Sequence, residues 1–205
     1  MVRDGLYYGA ALAAGGALVS YLAQPAFGVP LYVLALFCLY FFRDPDRAIP
    51  VGDVAVSPAD GKVIAIRPVE TGLTCLSIFL NVFDVHVNRS PIAGTVTGVR
   101  YRKGRFLVAS REEASLQNEQ NSITVVGEGT SIEFRQIAGL IARRVVCRVK
   151  PGDRVAKGER IGLIRFGSRV DVLFGPEWTL QVTEGQRVSA GSSILARRRD
   201  ALTQR

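Results

Sequence analysis

Two apolar runs without a charged residue open this chain and limit how it can fold more than any other feature. They cover residues 5–22 and 25–42, with Ala23-Gln24-Pro25 between them as a helix breaker. Each run has about 18 residues, at the short end of what crosses a bilayer as a helix. We therefore expect residues 1–43 to form a membrane-anchoring helical hairpin.

Basic residues around the two runs indicate how such a hairpin is oriented. Arg3 flanks the first run and Arg43 and Arg47 flank the second, which favours a hairpin with both ends in the cytoplasm. A secretory signal peptide is disfavoured because a second apolar run follows at once. A re-entrant or interfacial hairpin stays open, since both runs are short. Small residues at every fourth position predict a face for close helix packing: Gly9, Ala13 and Ala17.

The remainder, residues 44–205, is predicted to be one β-rich domain. Short runs of β-branched and aromatic residues alternate with glycine from residue 51 onward. One segment, 110–118, is typical of a short helix or a mobile polar loop. The predicted strands include 73–82, 122–126, 131–137, 144–149 and 178–182.

Two patterns in the β-rich part each occur twice, and the same spacing separates the two copies in both cases. Residues 58–66 and 91–99 share the frame P-x-x-G-x-V, and residues 149–161 and 182–194 share V-x-x-G-x-x-V-x-x-G-x-x-I. This resembles the half-repeats of biotinyl/lipoyl-type β barrels. The fold is therefore predicted to be mainly β, a barrel or sandwich with pseudo-twofold character. The likeness also raises a rival hypothesis, a membrane-tethered adaptor domain without catalysis.

Charge and rare residues narrow the function classes. The formal net charge of +8 predicts an anionic partner, such as a membrane surface or nucleic acid. Three scattered cysteines disfavour a disulfide framework, and the single histidine, His86, disfavours most metalloenzymes, so we expect no metal. No motif that reads DNA or RNA is present, so we expect no nucleic-acid partner.

The dipeptide Gly167-Ser168 has two interpretations. It is a common turn sequence, and it is also a bond at which a chain can cut itself. Because glycine has no Cβ, the Gly167 carbonyl is open to attack by the Ser168 hydroxyl once a base removes its proton. A conventional serine hydrolase is disfavoured, because the second glycine of G-x-S-x-G is absent.

Taken together, an ordered set of motifs is similar to the phosphatidylserine decarboxylase family, in its small, membrane-anchored prokaryotic type. The resemblance covers nearly the whole chain. Its motifs are Phe-Phe-Arg-Asp-Pro at 41–45, Pro-Ala-Asp-Gly at 58–61, Asp-Val-His-Val-Asn-Arg at 84–89, Asn-Glu at 118–119, and Phe-Gly-Ser-Arg-Val-Asp at 166–171.

The resemblance implies a proenzyme that cuts itself between Gly167 and Ser168. A β chain of residues 1–167 and an α chain of residues 168–205 would result, with Ser168 converted into a covalent pyruvoyl group. Asp60 would orient His86, and His86 would take the proton of Ser168. The implied reaction converts phosphatidylserine into phosphatidylethanolamine at the cytoplasmic face of the inner membrane. An anionic membrane surface is an expected partner, and a homo-oligomer is left open.

One departure from the larger family members concerns the histidine. Many of them carry a second histidine three residues after the first, where this chain has Arg89. His86 therefore serves both cutting and turnover, or another group takes one of these tasks. An ether-linked archaeal analogue of phosphatidylserine stays open as the substrate, and the residues that bind it are not identified.

Overall fold

The structure is a computed structural model that describes residues 2–69, 72–107, 109, 112–140, 145–165 and 167–199. The chain divides into two compact units, Met1–Asp46 and Arg47–Arg205. The first unit is helical. The second is built almost entirely of short β-strands.

Two helices, α1 (Arg3–Leu22) and α2 (Pro25–Phe41), make up the first unit. Pro25 occupies the first turn of α2, where its missing N–H costs no hydrogen bond. Within the described residues, α1 is the helix long and apolar enough to cross a membrane, whereas α2 has 17 residues. Large apolar side chains of both helices are exposed, among them Tyr7, Leu18, Tyr21, Leu22, Phe27, Val33 and Leu36.

Glycines form the face of α1 that packs on α2. A Cβ placed at Gly5, Gly9 or Gly16 would collide with a side chain of α2 or of the residue that follows it. Ala13 and Ala17 are exposed instead, so the predicted face is wrong beyond Gly9. The reason is geometric: at 3.6 residues per turn, a strict four-residue spacing drifts around the helix by about 40° at each step.

Within its described residues, the second unit contains fourteen strands and one short helix. The strand predictions are confirmed in kind, and residue 144 of the predicted strand 144–149 lies outside the described residues. The segment predicted as helix or loop contains α3, and its residues 110 and 111 also lie outside them. In chain order the elements are β1 (Val54–Val56), β2 (Gly61–Pro68), β3 (Thr74–Leu80), β4 (Val87–Arg89), β5 (Gly94–Arg102), α3 (Glu112–Gln117), β6 (Gln120–Gly127), β7 (Thr130–Ile137), β8 (Val145–Cys147), β9 (Arg154–Val155), β10 (Arg160–Ile164), β11 (Ser168–Phe174), β12 (Trp178–Leu180), β13 (Arg187–Val188) and β14 (Ile194–Arg198).

An antiparallel eight-stranded sheet, in the order β13-β2-β3-β11-β7-β6-β5-β9, forms the body of this unit. Two smaller sheets, β1-β14-β12 and β4-β10-β8, complete it. Alternate residues of the central strands enclose one apolar core that includes Leu76, Ile78, Ile123, Phe134, Val170 and Val172. The prediction of a mainly β barrel or sandwich behind an N-terminal helical hairpin is confirmed.

The sequence repeats pair with each other crosswise, which gives the unit its pseudo-twofold symmetry. Gly61 pairs with Val188, and Gly94 pairs with Val155. The repeat spacing separates the two glycines, and it also separates the two valines. Hydrogen bonds of 2.8–2.9 Å recur at the same offset: Val63 N to Gln186 O and Gly191 N to Ser57 O beside the first pair, Val96 N to Asp153 O and Gly158 N to Ser90 O beside the second.

Candidate active site

Ser168 is the first residue of β11 and is completely buried. Among the described residues its hydroxyl forms no hydrogen bond. Gly167 before it has φ +56°, in the left-handed region that favours glycine, and a Cβ there would meet nothing within 4 Å. The backbone conformation at 167 therefore favours glycine, and space beside its Cα is open.

The Gly167 carbonyl lies directly against Gly139, a residue that the sequence analysis missed. A Cβ at position 139 would lie 1.8 Å from the Gly167 carbonyl oxygen. No sequence signal distinguishes this glycine from others in turns, since the contact joins segments that are far apart along the chain. Gly139 therefore borders the bond whose cutting the motifs predict.

His86 is buried beside the same strand ends. Its Nδ1 lies 2.8 Å from the Asp84 carbonyl oxygen, and because a carbonyl only accepts, Nδ1 carries the proton. Nε2 is then the ring atom with a lone pair, as a general base requires. The His86 carbonyl accepts a hydrogen bond from Ile164 N at 3.2 Å, which ties the residue to the end of β10, four positions before Ser168.

Asp84 holds the loop that presents His86. Its carboxylate accepts a hydrogen bond from Asn81 N at 2.9 Å and pairs with Arg187. Leu80, just before this loop, is the strand partner of Ser168. Asp84 stands in a motif of the sequence analysis without a role of its own, and no sequence signal predicted its contact with His86, because the atom that His86 binds is a backbone carbonyl.

Asp60 has other partners than the predicted one. Both carboxylate oxygens accept hydrogen bonds from Arg47 Nη2, at 3.0 and 2.8 Å, and Oδ1 also accepts one from Ala190 N at 2.7 Å. No hydrogen bond in the described part of the chain joins Asp60 to His86. The orienting role of Asp60 stays a prediction.

A buried chain of amides joins the segments that carry Asp60 and His86. Asn88 Nδ2 donates to the Pro58 carbonyl at 3.4 Å, and Gln136 Nε2 donates to Asn88 Oδ1 at 2.9 Å. Asn121 Nδ2 in turn donates to Gln136 Oε1 at 3.2 Å. All three amide side chains are buried, so each bond is formed away from competing water. The chain links β4, β6 and β7 to residues 57–61 and was not foreseen from the sequence.

A buried ion pair fixes the strand that begins with Ser168. Arg169 Nε donates to Asp171 Oδ1 at 2.6 Å, and Arg169 Nη2 donates to Ser77 Oγ at 2.7 Å. Burial is the main reason that the pKa of the nearby Cys75 thiol is raised, with the Asp171 charge adding to it. These groups point away from the Ser168 side of β11, because neighbouring strand residues alternate in direction.

A cavity of about 630 Å³ lies away from these residues. Trp178 lines it and packs edge-on against Phe174, the last residue of β11. The lining includes Lys157 and Asp53, and burial lowers the pKa of Lys157 while the Asp53 charge opposes that change. None of Ser168, His86 and Asp60 lines this cavity.

Comparison with known proteins agrees with the order of motifs. The family model for phosphatidylserine decarboxylase matches residues 34–196. A protein of Solibacter usitatus named phosphatidylserine decarboxylase proenzyme is 68% identical over 200 residues, 98% of this chain and 98% of that protein. Proteins with the same name from Magnetococcus marinus and Nitratidesulfovibrio vulgaris are 46% and 47% identical, over 82% and 81% of this chain and 80% of each relative. The chain belongs to the phosphatidylserine decarboxylase family.

Proposed function

We propose that this chain is a self-cutting proenzyme that decarboxylates phosphatidylserine to phosphatidylethanolamine. One observation carries the proposal within this family: a left-handed glycine, Gly167, precedes a buried serine whose hydroxyl has no hydrogen bond among the described residues. A buried hydroxyl is normally bonded, and an exception points to a chemical role.

The cut follows from the groups around this bond. The Ser168 hydroxyl attacks the Gly167 carbonyl carbon while His86 Nε2 takes its proton, and the peptide nitrogen leaves with a proton to give an ester. Removal of the Ser168 α-proton then breaks the Cβ–oxygen bond, so that Gly167 departs as a carboxylate. The dehydroalanine left at residue 168 becomes an imine, and water replaces its nitrogen, releasing ammonia and leaving the pyruvoyl group.

The site fits a group formed in place from residue 168. When formed, the pyruvoyl ketone supplies an electron sink for the loss of carbon dioxide from the substrate. In the uncut chain residue 168 is completely buried, so its hydroxyl attacks in a place shielded from bulk water. Strand β11 pairs with β3 along its whole length, from Ser168 with Leu80 to Phe174 with Thr74, so the α chain is held by the β chain after the cut.

The mass of the purified protein tests this function. We expect two chains, 1–167 and 168–205, whose masses sum to the uncut chain plus one water and minus one ammonia. The smaller chain should resist Edman degradation and react with carbonyl reagents. Ser168→Ala should remain one chain without decarboxylase activity, whereas Ser131→Ala, an exposed serine in the same unit, should be cut and active.

An active preparation that consists of one uncut chain would refute the pyruvoyl mechanism. An adaptor domain predicts a different pattern, in which Ser168→Ala changes neither the chain nor any measured property. Either result separates the two hypotheses raised by the sequence.

We also propose that the helical unit anchors the protein in the inner membrane, with the β unit on the cytoplasmic face. Exposed apolar side chains on α1 and α2 and the flanking arginines support this. Arginine at the centre of a membrane helix costs about 2.5–3.5 kcal/mol. The double variant Leu18→Arg with Leu36→Arg should move the protein from the membrane fraction to the soluble fraction. Val51→Arg, on the β unit, should leave the protein in the membrane fraction. An unchanged membrane fraction would contradict the anchor.

A further inference from the structure

Gly139 is a glycine for reasons of space. Its φ lies outside the left-handed region, so its backbone accommodates any residue. A Cβ on it would lie 1.8 Å from the Gly167 carbonyl oxygen, 2.9 Å from the carbonyl carbon and 3.3 Å from the Ala109 Cβ. Any side chain at 139 would therefore displace the carbonyl that Ser168 has to attack.

The segment that carries Gly139 is held in place. Asn118 is buried, and its Nδ2 donates to the Ala138 carbonyl at 2.8 Å. Ala138 N donates to the Glu119 carbonyl at 2.9 Å. Asn118 also forms two hydrogen bonds of 2.9 Å with the backbone of Leu107. Because both the N–H and the carbonyl of Ala138 are hydrogen-bonded, residue 139 has little freedom to move away from the Gly167 carbonyl.

The pseudo-twofold symmetry supplies a second turn for comparison. Strands β2-β3-β11 match β5-β6-β7 in the sheet order, so Thr130 at the start of β7 corresponds to Ser168 at the start of β11. Gly129 has φ +60°, close to the +56° of Gly167. The chain thus contains two left-handed glycines, each followed by a hydroxyl residue that begins a central strand.

The residue beside the hydroxyl differs between the two turns. Gly139 lies just past the end of β7, beside Gly167, and Glu177 lies just past the end of β11, beside Thr130. Thr130 Oγ1 donates to Glu177 Oε1 at 2.7 Å and accepts a hydrogen bond from Trp178 Nε1 at 3.0 Å. At this position in one turn, Glu177 binds the Thr130 hydroxyl. At the same position in the other turn, Gly139 leaves room for the Gly167 carbonyl.

We propose that Gly139 is a positioning residue for the cut, which lets the Gly167 carbonyl sit within reach of the Ser168 hydroxyl. The inference rests on the proposed function, since it needs Gly167-Ser168 to be the bond that is cut. Alanine at 139 pushes the carbonyl away by about 1 Å, a misplacement that costs about 100-fold in a positioned reaction.

The test follows cutting over time in newly synthesised full-length chains. Gly139→Ala should be cut about 100-fold more slowly than the natural chain. Gly98→Ala is the matched control, because its Cβ would meet the Thr124 Oγ1 at an ordinary 3.6 Å, and it should be cut at the natural rate. Folding is measured separately by comparing the melting temperatures of Ser168→Ala and of Ser168→Ala with Gly139→Ala, both of which stay uncut.

Hydroxylamine identifies the affected step. It cleaves the ester that precedes elimination, giving a hydroxamate at Gly167 and an unaltered Ser168 at the new amino terminus. Because Gly139 acts on the attack that forms this ester, hydroxylamine should speed the cutting of the natural chain and not that of Gly139→Ala.

Three results would overturn the inference: cutting of Gly139→Ala at the natural rate, restoration of its cutting by hydroxylamine, or loss of the folded state in the uncut double variant. If the natural chain and Gly98→Ala also stay uncut, the proposed function itself fails.

Discussion

The pseudo-twofold symmetry relates two parts of the β unit, one around Ser168 and one around Thr130, which we call its two halves. They share a backbone conformation and differ in their side chains. At the offset of the sequence repeat, His86 in one half corresponds to Asp53 in the other, and Asp60 corresponds to Ala93. Ser168 corresponds to Thr130 across the central strand pair. One half therefore combines a buried hydroxyl with an imidazole, and the other combines a hydroxyl bonded to Glu177 with a carboxylate.

This difference separates what the fold provides from what the reaction needs. The left-handed glycine occurs in both halves, at Gly129 and Gly167, so this turn conformation belongs to the barrel and does not by itself distinguish Ser168 from Thr130. The cavity of about 630 Å³ is lined by Asp53 and Thr130 and thus lies beside the turn that has carboxylates in place of an imidazole. The cavity and the bond that we propose is cut therefore lie in opposite halves.

The largest expected effect comes from removing the base in one half. His86→Ala should slow cutting by about 10²–10⁴-fold, the usual contribution of a positioned general base. Asp53→Ala changes the corresponding residue and should leave cutting unaltered. Both are measured as the fraction of uncut chain against time after synthesis. Equal cutting in His86→Ala and the natural chain would exclude His86 as the base.

The next effect concerns the buried amide chain of Asn88, Gln136 and Asn121. Among the described residues only one half contains it, because the residue that corresponds to Asn88 in the other half is Ala55. Asn88→Ala leaves the buried Gln136 Nε2 without its acceptor, which costs about 1–3 kcal/mol. The free energy of unfolding is measured by denaturant titration in the Ser168→Ala background, where one chain unfolds. Gln117→Ala, at an exposed site, should change it by less than about 0.5 kcal/mol. A change at Asn88 as small as that control would mean that water replaces the lost bond.

Asp60 places a carboxylate at a position where the other half has Ala93. If it acts on His86 through its charge, without a hydrogen bond, Asp60→Asn should slow cutting about tenfold, a loss of about 1.4 kcal/mol of transition-state stabilisation. Adding the charge to the other half, with Ala93→Asp, should have no such effect. Should Asp60→Asn lower the melting temperature and leave cutting unchanged, Asp60 would be a structural partner of Arg47 and Ala190.

The features predicted correctly from the sequence are those that depend on residues close together in the chain. Apolar runs located both helices, and the glycine frames located the symmetric halves, because turns and strand alternation are encoded within a few residues. Gly139 is absent from the predicted site, and Asn118 stands in a predicted motif without a role, because their partners, Gly167 and Ala138, are distant in the chain. The orientation of His86 by the Asp60 carboxylate stays a prediction. The structure adds a contact of His86 with a backbone carbonyl, which every residue carries and no sequence pattern reveals.

The smallest effect should be the same at Ser57 and Ser90, two residues that the pseudo-twofold symmetry relates to each other. Ser57 Oγ donates to the Ala59 carbonyl at 2.6 Å, and Ser90 Oγ donates to the Ile92 carbonyl at 2.7 Å, both in buried turns. Ser57→Ala and Ser90→Ala should each lower the free energy of unfolding by about 1 kcal/mol in the Ser168→Ala background. Because Ser57 adjoins the segment of Asp60 and Ser90 adjoins that of His86, unequal losses would mean that the backbone symmetry does not extend to the energetics of the turns. Equal losses would leave the side chains at 86, 60 and 139 as the source of the functional difference.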